Sequence, residues 1–267
     1  MYTGTDSEKI VDGFTLRVRR QGKSTAMDAD RPQIVMIHGL HEGWNIWQPL
    51  LASLIPRYQV NLLEFPWSGS QGMRWGFHKK TEEWIRLGLD LASNNRTVFL
   101  AHSFGANALL EYLTAYGTDR VDGIVLFAPF YKVDHREFTW PLIEYYMKQH
   151  HKLLKTWIKL NSGGRDIPPE IFTSMYEKVL EMDGPIEWVQ FMNVFFRTPD
   201  LPLSFLDVPC LVICGANDTA SLAADCCHLA ERLPAGNLVL LPECGHFPTL
   251  ENPAMAIKVV KKFLGIL

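Results

Sequence analysis

Ser103 stands at the centre of Ala101-His102-Ser103-Phe104-Gly105, where the apolar run "TVFLA" gives way directly to the helical pattern "FGANALLEYLTAYG". A serine at that junction has two uses. Its hydroxyl can accept a backbone N–H bond as the helix N-cap, or it can stand exposed at a sharp strand-to-helix turn and act as a nucleophile. Such a turn crowds the backbone and needs small residues two positions before and two after, and Ala101 and Gly105 hold those places. A serine hydroxyl is a weak nucleophile at neutral pH. The second use therefore requires a base to take its proton and a carboxylate to orient that base.

Other reactive residue types point to little further chemistry. His150 and His151 are adjacent, so on a helix they point about 100° apart and lack the i, i+4 spacing of a chelating pair. Cys210, Cys214, Cys226, Cys227 and Cys244 are odd in number, lie in or beside apolar segments and have no paired CxxC spacing. They are expected to be buried free thiols, with Cys226 and Cys227 pointing apart on a helix. Neither a GxGxxG after a strand nor a phosphate-cradling loop is present. No metal and no cofactor is expected.

The elements that must position Ser103 follow a regular rhythm. Asp12-Gly13 between alternating segments signals an opening hairpin. Apolar runs of strand length then alternate with helical patterns: "QIVMIHG" and "WQPLLASLI", "YQVNLLEF" and "KKTEEWIRLGLDLASNN", "TVFLAHS" and "FGANALLEYLTAYG". This builds a parallel sheet covered by helices on both faces. "VDGIVLFAPF" ends near Phe130 and "VPCLVICGAND" begins at Val208, with long helical patterns rich in aromatics between them and no convincing strand. After a helix near Leu222 to Leu233 come the strand "NLVLLPECG" and a closing helix in "PAMAIKVVKKFLGIL". The expected organisation is a core of 1–130 and 204–267 with a helical cap inserted at 131–203, and a turn within the cap at Asn161 to Glu170.

In its elbow and in what surrounds it, the sequence resembles the α/β-hydrolase family. That family writes its nucleophile elbow small-x-Ser-x-small, most often Gly-x-Ser-x-Gly; Ala101 replaces the first glycine, small for small. The implied fold is α/β, a mostly parallel central sheet flanked by helices. The family supplies an acid and a base in the order Ser, Asp, His, after successive later strands. The resemblance thus implies Asp218, in "CGANDTA" after "CLVIC", and His246, in "ECGHFPTLENP" after "LVLL", which stand 28 residues apart. Taken singly, Asp218 could cap the next helix and His246 could be a loop histidine. Their joint placement at strand ends, in family order with Ser103, selects them.

The resemblance further implies two backbone N–H donors for a developing oxyanion. One is Phe104, after the serine; the other is Leu40, after His38-Gly39 in "MIHGLHEGWNIWQPL", where Trp47 holds the familiar aromatic position. His38 is expected to position its loop, His41 to be able to face the pocket, and His102 to pack beneath the elbow. "LEFPWSGSQG" resembles the family's Asp-x-Pro-Gly-x-Gly-x-Ser loop, with Glu64, Pro66 and Gly69 in place and Trp67 replacing the first glycine. A ring at Trp67 would reshape the pocket wall. With His41, Trp140 and Trp188 it is a candidate pocket residue.

The implied activity is hydrolysis of a carboxylic ester or thioester of a small apolar or aromatic metabolite, through an acyl-enzyme. The family's aspartate-nucleophile branches, haloalkane dehalogenases and epoxide hydrolases, do not fit Ser103. Carbon–carbon bond hydrolysis, lyase, acyl-transfer or cyclisation chemistry, cofactor-free oxygenation, and a binding protein that keeps the fold remain open alternatives. Hydrophobic residues make up 47% and charged residues 21%, with a net charge of −3, which argues against nucleic acid as a partner. No apolar run reaches the roughly 20 residues of a membrane span, and the start "MYTGTDSEKIVDG" lacks the flank and apolar stretch of a signal peptide. A cytoplasmic monomer or homodimer acting on a small-molecule substrate, away from membranes, is expected.

Overall fold

Asp12 and Gly13 join strand β1 (Thr5–Val11) to β2 (Phe14–Gln21), with φ of 51° and 84°, the left-handed pair that matches a two-residue turn to strand twist. The computed structural model describes residues 5–22, 32–72, 74–92, 96–163 and 165–265. Strands β3 (Gln33–Ile37), β4 (Val60–Glu64), β5 (Thr97–His102), β6 (Val121–Phe127), β7 (Cys210–Gly215) and β8 (Gly236–Leu241) complete an eight-stranded sheet in the order β1-β2-β4-β3-β5-β6-β7-β8. β2 runs antiparallel to β1 and β4; from β4 to β8 the neighbours are parallel. The chain steps from β3 to β4 on one side and from β5 onward on the other. The connections therefore diverge between β3 and β5, and a crevice opens at their carboxyl ends.

The helices are α1 (Gln48–Leu54), α2 (Thr81–Leu89), α3 (Phe104–Tyr116), α4 (Trp140–Asn161), α5 (Pro169–Phe196), α6 (Ala223–Arg232), α7 (Pro248–Glu251) and α8 (Pro253–Leu264). Strand residues alternate between two cores, as a period of two requires. Val35, Ile37, Phe99 and Ala101 pack with α2, α3 and α6, whereas Ile34, Met36, Val98 and Leu100 pack with α1 and α8. Every residue of β3 and β5 is buried, which is why their centres read as continuous apolar runs. β8 stops at Leu241, because Pro242 follows and cannot donate to the ladder.

Between β6 and β7 the chain leaves the sheet for α4 and α5, with no strand among the described residues. The expected turn falls between these helices; its Gly164 lies outside the described residues, as do 1–4, 93–95 and 266–267, which belong to the expected start, second helix and closing helix. Helix α5 breaks at Gly184 (φ 41°, ψ 170°), ahead of Pro185. Proline lacks the N–H needed to continue the ladder. At the insertion's base, Lys132 N donates to Thr198 Oγ1 (3.1 Å) and Lys132 Nζ to both carboxylate oxygens of Asp225 (2.9 and 2.8 Å). These bonds tie its outgoing and returning legs to each other and to α6.

All five cysteines are free, with Cys226 buried and its neighbour Cys227 half-buried. Burial pushes the Cys210 and Cys244 thiols up to about 12, so neither is a nucleophile at neutral pH. Among the described residues, no helix is long and apolar enough to cross a membrane.

Candidate active site

Ser103 links β5 to α3 with φ 53° and ψ −126°, a conformation that strains a residue bearing a Cβ. Its N–H donates to Phe127 O (2.8 Å) and its carbonyl accepts from Ala106 N (2.9 Å). Although Ser103 occupies the N-cap position of α3, its side chain makes no capping bond. The hydroxyl instead lies 2.9 Å from His246 Nε2. Gly105, one turn position later, approaches the His38 carbonyl too closely for any side chain.

Asp218 and His246 sit on the loops after β7 and β8, which are laced together. Ala216 N donates to Leu241 O and Asn217 N to Cys244 O, both at 2.8 Å. A Cβ on Gly215 would lie 2.1 Å from Gly245 O, so only glycine lets the two loops meet. Asp218 Oδ1 accepts from Ala220 N (2.8 Å) and Ser221 N (3.0 Å), and Oδ2 lies 2.8 Å from His246 Nδ1. An ionised carboxylate only accepts, so Nδ1 carries the ring proton and Nε2 is left to accept from the Ser103 hydroxyl. Ser103, Asp218 and His246 are 6%, 6% and 4% exposed. This hydrogen-bonded chain can carry a proton off the serine.

The loop after β3 supplies the other half. His38 Nδ1 donates to Gly39 O (2.7 Å), and Nε2 accepts from Phe65 N (3.0 Å). Burial holds this imidazole below the usual histidine value, in keeping with its neutral, loop-positioning pattern. Gly39 N donates to Glu42 Oε2 (2.7 Å) and His41 N to Trp67 O (2.9 Å). The amides of Leu40 and Phe104 pair with no acceptor among the described residues, and both residues line the same pocket as Ser103. His102, the last residue of β5, is wholly buried beneath the elbow.

The pocket over Ser103 is walled by Phe130 and Phe247 from the core and by Tyr146, Leu154, Trp157, Trp188 and Phe191 from α4 and α5. The cavity measures about 50 Å3, room for a few water-sized groups. His41 and Trp188 line it. Trp140 does not: it is 82% exposed in the first turn of α4, a helix whose residues become buried only from Tyr146 onward. Nor does Trp67 form the wall. Its ring is fully buried behind Phe104, stacked on Phe65 (4.4 Å), and its Nε1 donates to His38 O (3.2 Å). The bulky replacement for glycine fills core space under the loop.

Three site residues escaped the sequence reading. His150 lines the pocket, with its ring 6.2 Å from that of His41, while His151 turns out to Tyr176 (2.7 Å). Glu187 reaches from α5 to place Oε2 3.0 Å from His41 Nε2. Glu42, also buried, lines the pocket beside Leu40 and His41. An isolated acid in the apolar stretch "PIEWVQFM" was the available signal for Glu187. Among the described residues, no group of three or more His, Cys, Asp or Glu could hold a metal ion.

Known proteins resemble this chain in sequence and in fold. The model of the alpha/beta hydrolase family aligns with residues 34–257. The pimeloyl-[acyl-carrier protein] methyl ester esterase of Nitrosomonas europaea is 24% identical over 237 residues, 83% of this chain and 91% of that protein. Among solved structures, an esterase from Exiguobacterium antarcticum superposes with a TM-score of 0.70 at 17% identity, covering 98% of this chain and all (100%) of that one. The enol-lactonase from Burkholderia xenovorans does so with a TM-score of 0.68 at 21% identity, covering 97% and 100%. With its family model spanning most of the sequence, the chain belongs to the alpha/beta hydrolase family.

Proposed function

We propose that this esterase-type hydrolase cleaves small apolar carboxylic esters through an acyl-enzyme on Ser103. The bonding of Ser103 carries this reading: its hydroxyl, placed to cap α3, is given over to His246 Nε2 at 2.9 Å. In the reaction, Ser103 Oγ attacks the ester carbonyl carbon as His246 Nε2 takes its proton. Asp218 holds the imidazole in the required tautomer and offsets the positive charge that develops on it. The Leu40 and Phe104 amides donate to the oxyanion; as unpaired donors they need no rearrangement to do so. The intermediate collapses as His246 returns the proton to the leaving alkoxide. A water deprotonated by His246 then attacks the acyl-enzyme and frees the acid.

The wall of Phe130, Tyr146, Leu154, Trp157, Trp188 and Phe191 supports an apolar acyl group, and the small cavity supports a short one. Two curated relatives are methyl ester esterases, which favours an oxygen ester with a small alcohol over a thioester. Steady-state assays on p-nitrophenyl esters from acetate to octanoate, with wild type beside Ser103→Ala, test the reading. The expected result is preference for short chains and a loss of at least about 10^3 in kcat for Ser103→Ala. A folded Ser103→Ala variant with wild-type turnover would overturn it.

A further inference from the structure

The Ser103, His246 and Asp218 chain leaves a second buried acid–histidine pair unused. Glu42 follows β3 and is 4% exposed; His102 ends β5 and is fully buried. Glu42 Oε2 accepts from Gly39 N (2.7 Å), and its carboxylate pairs with His102 Nδ1 (2.8 Å to Oε1, 2.9 Å to Oε2). On the far side of the ring, His102 Nε2 donates to the backbone carbonyl of His246 (2.8 Å). Both ring nitrogens thus face acceptors, which calls for a doubly protonated imidazolium against a carboxylate. Burial alone would push His102 down. The Glu42 charge and hydrogen bond, the His246 carbonyl and the Asp218 charge outweigh it and hold the ring above the usual histidine value.

A buried ion pair is weak as a source of stability, because desolvation offsets most of the attraction, and its better-attested use is to fix register. Here the register is that of two loops with distant origins. The loop after β3 carries Gly39 and the next amide, Leu40; the loop after β8 carries the base. β5, β6 and β7 lie between these strands in the sheet. An oxyanion donor and a base on separate loops must both be held within about 0.5 Å of productive geometry. The row Gly39–Glu42–His102–His246 is a continuous set of hydrogen bonds across that gap.

We propose that Glu42 is a positioning residue for ester cleavage: through Gly39 it sets the Leu40 amide, and through His102 it sets the backbone of His246. This rests on the acyl-enzyme reading above. One buried carboxylate, at the floor of the pocket, registers the oxyanion donor against the base. Removing it should slow chemistry without weakening substrate binding, because Glu42 is not needed to hold the acyl chain.

Glu42→Ala and Glu42→Gln separate position from mere structure. In Glu42→Gln the amide oxygen can accept from Gly39 N while the amide NH2 donates to a neutral His102, so every bond survives without charge. Glu42→Ala leaves Gly39 N and His102 Nδ1 without partners. Each variant is assayed with p-nitrophenyl acetate, and active sites are counted by a fluorophosphonate probe, so unfolded protein does not enter kcat. For Glu42→Ala, kcat per titrated site is expected to fall about 30- to 100-fold, with KM within about twofold. Glu42→Gln is expected to recover to within about fivefold of wild type. Wild-type kcat per titrated site in Glu42→Ala overturns the proposal, as does a change confined to KM or a Glu42→Gln as slow as Glu42→Ala. If Glu42→Ala does not fold, His102→Phe fills the space but loses the His246 carbonyl bond, and it is read the same way. Ser103→Ala, assayed on the same ester per mole of folded protein because the probe has no serine to label, keeps the two ideas apart: full turnover there defeats the acyl-enzyme reading, whereas a dead Ser103→Ala beside a wild-type Glu42→Ala defeats the positioning role alone.

Discussion

A Cβ placed on Gly105 would lie 2.2 Å from the carbonyl oxygen of His38. The first turn of α3 therefore rests directly on the end of β3. Both proposed oxyanion donors border this contact, Leu40 shortly after His38 and Phe104 immediately before Gly105. Gly105→Ala must push α3 away from β3 and part the two amides. It is expected to lower kcat/KM about 100-fold and, as an overpacked core site costing about 1–3 kcal/mol, to lower Tm by several degrees. Ester kinetics and a thermal melt check both, and wild-type values for Gly105→Ala would contradict the contact.

The His41–Glu187 pair joins the loop after β3 to the second half of α5, with side chains 6% and 0% exposed. Removing one partner breaks a buried acid–histidine contact, which costs up to about 3–5 kcal/mol. Glu187→Ala is expected to lower Tm and to speed amide exchange in the helix following the break at Gly184. Hydrogen exchange followed by mass spectrometry reads this directly. Unchanged protection in that helix together with an unchanged Tm would show that the pair does not hold α5 down.

These two contacts also show where sequence reading succeeds and stops. The elbow was legible because its constraint is local: a strand end, a serine and two small neighbours. Asp218 and His246 were legible through the family resemblance, which gave meaning to their positions after strands. Glu42 was not, since its carboxylate finds His102 60 residues further on and no short-range pattern marks that pairing. Trp140 and Trp188 are both tryptophans on long helical patterns, and composition cannot tell the pocket-lining ring from the exposed one. Trp67 had the right neighbourhood but the wrong direction, because whether a ring faces pocket or core depends on Phe65 and Phe104, packed against it.

Stability should depend on pH through Glu111, a carboxyl on α3 that accepts from the Thr81 hydroxyl and lies 3.0 Å from the Arg197 guanidinium. Burial raises it from 4.5 to about 7, against the opposing pull of Thr81 and Arg197. Below pH 4.5 both folded and unfolded chains hold the proton, and the group costs nothing. Between about 4.5 and 7 the unfolded chain sheds its proton while the folded one keeps it, so stability falls as pH rises. Above 7 the full cost, about 3 kcal/mol, is present. Glu111→Gln mimics the protonated form, so its gain in Tm over wild type should grow from near zero at pH 4.5 to a plateau above 7. A gain that stays constant across that range would count against the shift.

Chain-length selectivity should be set by Trp157. Its ring stacks on Phe247 at 5.5 Å, next to His246 in sequence, and closes one side of the roughly 50 Å3 cavity. A longer acyl chain directed along this wall meets a packed ring, and each methylene kept out of the pocket forfeits about 0.8 kcal/mol of burial. Trp157→Ala opens that wall without touching Ser103, His246 or the Leu40 and Phe104 amides. The optimum for p-nitrophenyl esters is therefore expected to move to longer chains. Octanoate should gain about tenfold or more in kcat/KM relative to acetate, chiefly through KM, since extra apolar contact is made equally in ground and transition states. The shift must come with an unchanged acetate kcat, because the reacting groups stay where they are. A uniform loss across all chain lengths would mean instead that Trp157 supports the His246 loop through Phe247 and does not gate the acyl pocket.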